Sequence, residues 1–170
     1  MGDIIAGTSP FEGKLVRLFN EYFEQTNLHG FAFRLKQGRF STQFIDVLVD
    51  SRSPGYYLAV EAKSIDPRKT AKYYFSSWQR VSGRNQVETI SEFVNKTQRF
   101  GIMAAEIRQG RGPTPNDIFL IPWSHVEYAF ETGKKAINPT DLPGKYPQLK
   151  KDVDGLLNLE KCLSDLRQFL

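Results

Sequence analysis

Sulfur chemistry is nearly absent from this sequence. Cys162 is the single cysteine in 170 residues. That excludes an intramolecular disulfide and a cysteine-rich zinc site. Histidine is almost as scarce, and His29 and His125 lie far apart without ligand spacing. No run of about eighteen apolar residues occurs, so no membrane-spanning helix is expected. The start, Met1-Gly2-Asp3-Ile4-Ile5-Ala6-Gly7, has no basic opening and no long apolar stretch, and it does not read as a secretory signal. An intracellular, cytoplasmic protein is the simplest expectation.

Charge of one sign is only mildly in excess. There are 23 Lys and Arg against 19 Asp and Glu, a net charge of +4. Such a balance permits nucleic-acid binding without establishing it. The distribution says more. Arg34, Lys36 and Arg39 form one cluster, and Arg68, Lys69, Lys72, Arg80 and Arg84 form another, with Arg108 and Arg111 in a later loop. These groups either follow a polyanion or simply solvate loops.

What is plentiful is apolar and aromatic side chain: 40% hydrophobic and 13% aromatic residues, enough for the core of one domain. Two stretches organise the chain. Phe44 to Val49 and Tyr57 to Lys63 are rich in β-branched and aromatic residues, with Ser51-Arg52-Ser53-Pro54-Gly55 between them. Both read as strands joined by a turn. Side chains alternate faces along a strand. Glu61 and Lys63 therefore share a face, and Asp46 shares one with Phe44 and Leu48. Paired as a hairpin, the strands can bring Asp46 beside Glu61. Two carboxylates on an apolar sheet repel each other, and their burial is costly unless paired or metal-bound. A hard divalent cation relieves that repulsion; Mg²⁺ commonly takes one or two carboxylates plus water and phosphate. Lys63 alongside could hold or help deprotonate a water and offset phosphate charge, a set suited to phosphodiester hydrolysis. The competing reading is a plain Glu61–Lys63 salt bridge at a solvated strand end.

Asp46 followed, after Val47 to Val60, by Glu61-Ala62-Lys63 resembles the PD-(D/E)xK nuclease signature, with Ile45 where that pattern carries proline. The order of the other pieces narrows the resemblance to archaeal Holliday-junction resolvases of the Hjc type, and more distantly to bacterial RecU. These pieces are an early helix with Glu12, then Gly30-Phe31-Ala32-Phe33-Arg34, the two strands, a helix with Gln86 and Glu92-Phe93, and Arg99-Phe100-Gly101. The likeness spans about Thr8 to Phe130. It implies an α/β restriction-endonuclease-like fold with a mixed central sheet flanked by helices. It also implies a metal-dependent, structure-selective endonuclease, cutting four-way junctions in recombination and repair as a homodimer. Asp46, Glu61 and the Ala62 carbonyl would hold Mg²⁺, with Mn²⁺ as the alternative ion. Lys63 would activate water, while Glu12 would join the metal site and Gln86 would position water or phosphate. Arg34 and Ser41, with Thr42 as a substitute, match further site positions. A duplex or single-strand nuclease of the same superfamily, or a non-catalytic DNA-binding protein of this fold, remains open.

Around this centre, Ser9-Pro10-Phe11-Glu12 opens a helix. Ser9 is the cap, Pro10 the first helical position, and Glu12 completes a capping box, a structural task that competes with metal binding. Phe11, Leu15, Leu18, Phe19 and Tyr22 mark its apolar face. Lys36 to Thr42 is a basic, hydroxyl-rich turn. Between residues 64 and 84, Lys72, Tyr73, Tyr74, Phe75, Trp78, Arg80 and Arg84 mix aromatic and basic side chains. They could contact DNA, form a dimer interface or enter the core. Ser82 to Arg99 reads as a helix, and Gly101 to Ile107 as a small apolar strand, parallel to its neighbour after that crossover. Asp117 to Ile121 is another strand, followed by a helix from Pro122. Residues 8–130 form the expected nuclease domain. Residues 131–170 form an extension with an amphipathic helix over Leu149 to Leu170.

Overall fold

The computed structural model describes residues 10–35 and 45–170. Lys36, Arg39, Ser41, Thr42 and Ser9 lie outside the described residues. Helix α1 runs from Pro10 to Thr26. Phe11, Leu15, Phe19, Tyr22 and Phe23 recur every three to four residues, and all are buried. Three antiparallel strands follow, β1 (Gly30–Arg34), β2 (Val47–Ser51) and β3 (Leu58–Ile65). Helix α2 (Gln86–Thr97) then crosses over to β7 (Phe100–Ile107), which pairs with β3 in parallel. Strand β8 (Asp117–Pro122) runs antiparallel to β7 and closes a five-stranded sheet of order β1-β2-β3-β7-β8.

Each face of that sheet carries its own core. Val47, Val49, Leu58 and Val60 join Leu15, Phe19 and Phe23 of α1 on one face. Leu48, Ala59, Met103 and Ala105 point to the other, toward Ile90 of α2 and Val126 of α3 (Trp123–Glu131). The period-two alternation of strand side chains produces this division. At the edge of the sheet, the Asn20 amide bonds both backbone groups of Ala32, at 2.8 and 2.9 Å. That satisfies part of an otherwise open β1 edge.

Helix α2 is shorter than its periodicity predicts. Ser82 (φ 51°) and Gly83 (φ 80°) form the turn of a small hairpin between β5 (Arg80–Val81) and β6 (Arg84–Asn85). Asn85 then caps α2 in a reciprocal capping box with Glu88. In the preceding segment, Tyr73, Phe75 and Trp78 are buried in the core. Tyr73 belongs to β4 (Tyr73–Tyr74), which pairs with β9 (Ala136–Ile137). Burial takes these three rings out of reach of a stacked base, and of the pair in β4 only Tyr74 is exposed.

The C-terminal residues share both cores. Leu142 packs under α3, while Leu149, Leu157, Leu159, Leu163 and Leu166 pack with α1. The helix expected over Leu149 to Leu170 is confined to α4 (Leu159–Arg167). Asp152 Oδ1 accepts from the amides of Asp154 and Leu156 and bends the chain ahead of it, leaving Val153 fully exposed. Leu163 is 1% exposed on the buried face of α4. Leu163→Ala is expected to cost about 2–5 kcal/mol in urea unfolding, in a single transition that includes the sheet. A separate early transition would show instead that residues 131–170 melt on their own.

Candidate active site

Strand pairing brings the two carboxylates together. Val47 lies opposite Val60 in the antiparallel β2–β3 ladder. Asp46, one residue before β2, therefore stands next to Glu61 on the face that carries Leu48 and Ala59. Asp46 Oδ2 accepts a 2.8 Å hydrogen bond from the Ala62 amide. Glu61 is 1% exposed. Its Oε1 pairs with Lys63 Nζ at 2.7 Å, whereas its Oε2 is buried without a hydrogen-bond donor among the described residues. Burial first, and then the Asp46 charge, push the Glu61 carboxyl up to about 8. Asp46 is also raised, chiefly by burial, against the pull of the Ala62 amide and the Lys63 charge. Asp46 thus makes Glu61 harder to ionise, while Glu61, hydrogen-bonded to it, helps hold Asp46 as the charged partner.

Lys63 is held from three directions. Besides Glu61, it donates to Gln86 Oε1 at 3.0 Å, and its ammonium lies 4.6 Å from the centre of the Trp78 ring. Gln86, the first residue of α2, is only 4% exposed. The Asn85 cap fixes where the helix starts and hence where this amide stands. The indole supplies a negative ring face to a partly desolvated cation. Trp78 was not singled out for this site by sequence. An isolated aromatic carries no local signal that it will face a lysine on another element.

Glu12 approaches from α1. Its carboxylate is ion-paired with Arg34 at the end of β1. Burial and the Asp46 charge raise its pKa, while Arg34 and Lys63 pull it back. Arg34 therefore faces a carboxylate on the protein. The structure groups Asp46, Glu61, Lys63, Gln86, Glu12 and Arg34 in one place. Lys72, Arg80 and Arg84 lie elsewhere and are exposed. Arg80 donates to the Gly83 carbonyl, and Arg84 pairs with Glu92 at 2.7 Å.

Among the described residues, no three His, Cys, Asp or Glu side chains group as a metal-holding set. The pair Asp46 and Glu61 nevertheless has the chemistry of a partial Mg²⁺ shell. Hard carboxylate oxygens and a buried Glu61 oxygen without a donor among the described residues fit a hard divalent cation, which Asp46 and Glu61 would hold.

Among solved structures, the chain is similar to Hjc of Archaeoglobus fulgidus, a Holliday junction resolvase from an archaeal hyperthermophile. The match has a TM-score of 0.50 at 17% sequence identity and covers 95% of this chain and 100% of that one. At this identity the likeness establishes the fold: α/β, restriction-endonuclease-like, as the sequence resemblance implies. No protein-family model and no curated protein sequence matches the chain. None of the described helices is long and apolar enough to cross a membrane.

Proposed function

We propose that this chain is a divalent-cation-dependent endonuclease that cuts branched DNA, with the four-way junction as its substrate and Asp46, Glu61 and Lys63 as its catalytic centre. The observation that carries the proposal is the buried Glu61 carboxylate beside Asp46, with one oxygen on Lys63 and the other without a hydrogen-bond donor among the described residues. A fold shared with a junction resolvase supports the choice of substrate. Asp46 and Glu61 would hold the ion, with the Ala62 carbonyl as a further ligand. Bound there, Mg²⁺ or Mn²⁺ would offset the charge of the scissile phosphate and lower the pKa of water.

The chain's own groups do the rest. The Lys63 ammonium, steered by Gln86 and Trp78, orients the attacking water and offsets phosphate charge. Glu12 holds Arg34 at the rim, where the guanidinium meets DNA phosphate. Arg80, exposed beyond the catalytic centre, would add a phosphate contact, an affinity term that weakens as salt rises. Two such chains related by a two-fold axis would present paired sites to a two-fold-symmetric junction. A place of work among cellular DNA follows from the same reading.

Gln86→Ala is expected to lower the cleavage rate about 10- to 100-fold with folding preserved, because it frees Lys63 without removing it. Gln86→Glu should keep Lys63 in place and lose less. Equal rates for wild type and Gln86→Ala would remove Gln86 from the site.

The decisive experiment compares a labelled four-way junction with a duplex of equal length, with Mg²⁺, with Mn²⁺ and with EDTA. Paired, metal-dependent nicks confined to the junction are the expected result. Equal cutting of both substrates would keep the metal site and overturn the junction preference. Binding without cleavage under every metal condition would overturn the enzyme reading.

A further inference from the structure

A second cleft opens on the same face of the sheet, between α3, β9 and the residues that follow β9. It encloses about 500 Å³, within the ordinary range for small-molecule sites. Lys72, Lys134 and Lys145 line it, with Asp141 as the acidic residue among its lining groups. None of these three lysines has a carboxylate partner within 4.0 Å among the described residues. Lys69, Lys135 and Lys150 share that state, whereas Lys14, Lys63, Lys96, Lys151 and Lys161 each have one. Three cationic side chains on one cleft favour an anion there.

The remaining lining is of a different kind. Ile121 and Leu142 are buried apolar residues in its floor. Tyr146 stands in the wall, its hydroxyl 2.9 Å from His125 Nδ1 and its ring 5.2 Å from Lys145 Nζ. Tyr128 also lines the cleft, yet it is 65% exposed, which leaves its ring available for stacking. Inorganic phosphate alone has no use for an apolar floor and an exposed aromatic ring. A ligand with a flat ring at one end and a phosphate at the other uses all of these features.

We propose that this cleft binds a nucleoside phosphate, with the phosphate between Lys72, Lys134 and Lys145 and the base against Tyr128. The ligand is either a free nucleotide or a nucleotide of a DNA strand. Neither source requires cleavage at Asp46 and Glu61, so the inference stands or falls separately from the nuclease reading.

The test is calorimetric titration of the full chain with deoxyadenosine 5′-monophosphate, inorganic phosphate and a short 5′-phosphorylated single strand. Saturable binding of the mononucleotide is expected, with inorganic phosphate weaker. Tyr128→Ala, a surface change, should weaken mononucleotide binding about fivefold or more. Lys134→Glu with Lys145→Glu should abolish it, while Lys161→Glu, on the exposed side of α4, should leave it unchanged. Tighter binding of the strand, lost in the same variants, identifies DNA as the source; equal binding identifies free nucleotide. Inorganic phosphate binding as tightly as the mononucleotide would overturn the proposal. So would no binding of any ligand, or binding indifferent to both sets of variants.

Discussion

Asp46→Asn is expected to lower junction cleavage about 10³-fold or more while leaving junction binding equal or tighter. The amide keeps the shape of the carboxylate, and its oxygen can still accept from the Ala62 amide, a bond of 2.8 Å in the native chain. What disappears is the charge that, with Glu61, would hold a cation. DNA affinity rests mainly on cationic contacts to phosphate, and removing a carboxylate from the site reduces repulsion there. Cleavage and gel-shift assays on one preparation separate the two effects. A variant that cuts at the native rate would remove Asp46 from the catalytic centre. One that neither binds nor cuts would point to misfolding, and circular dichroism decides that.

Glu61→Gln is expected to act with opposite signs on activity and stability. Cleavage should fall about 10³-fold or more, for the same reason as at Asp46. Stability in metal-free buffer should rise. Burial, and then Asp46, push the Glu61 carboxyl up to about 8 in the fold, against an ordinary value of 4.5. Between those values the folded chain holds a proton that the unfolded chain has released. The native chain is therefore most stable below pH 4.5 with respect to this group, and that contribution is lost as pH rises through about 8. Glutamine has no such dependence. Urea midpoints at pH 5 and pH 8 in EDTA should converge for Glu61→Gln and diverge for the native chain. Adding Mg²⁺ at pH 8 should raise the midpoint of the native chain and leave that of the variant unchanged. A variant less stable than native at pH 8 without metal would show that the Lys63 pairing outweighs the burial of charge.

The layout of the sheet was legible because its signals are local. Alternation over Phe44 to Val49 and Tyr57 to Lys63 set which side chains share a face, and the intervening turn implied an antiparallel pair. Those two facts allow Asp46 to lie beside Glu61, and the Val47–Val60 register puts it there. The apolar face of α1 and the crossover to a parallel β7 were equally plain. Other features depend on contacts that sequence spacing does not encode. Gln86 meets Lys63 only because Asn85 starts α2 at that point, after an unforeseen hairpin turn at Ser82-Gly83. Tyr73, Phe75 and Trp78 sit among basic residues that look like a DNA surface, yet they fill the space between the sheet and α3. Leu149 to Leu157 keeps a helix-like apolar spacing, but Asp152 and Gly155 (φ 78°) turn the chain first.

The ring beside Lys63 gives the site an optical voice. The chain has two tryptophans, and they are neighbours: Trp78 and Trp123 lie with ring centres 6.3 Å apart in the core. A positive charge fixed over one face of an indole shifts the energy of its excited state. Any event that draws the Lys63 ammonium away from Trp78, whether a cation taking its share of Glu61 or a phosphate arriving alongside, must alter that field. Emission from Trp78 is therefore a built-in gauge of site occupancy, and the Trp123→Phe chain would isolate its signal without a label.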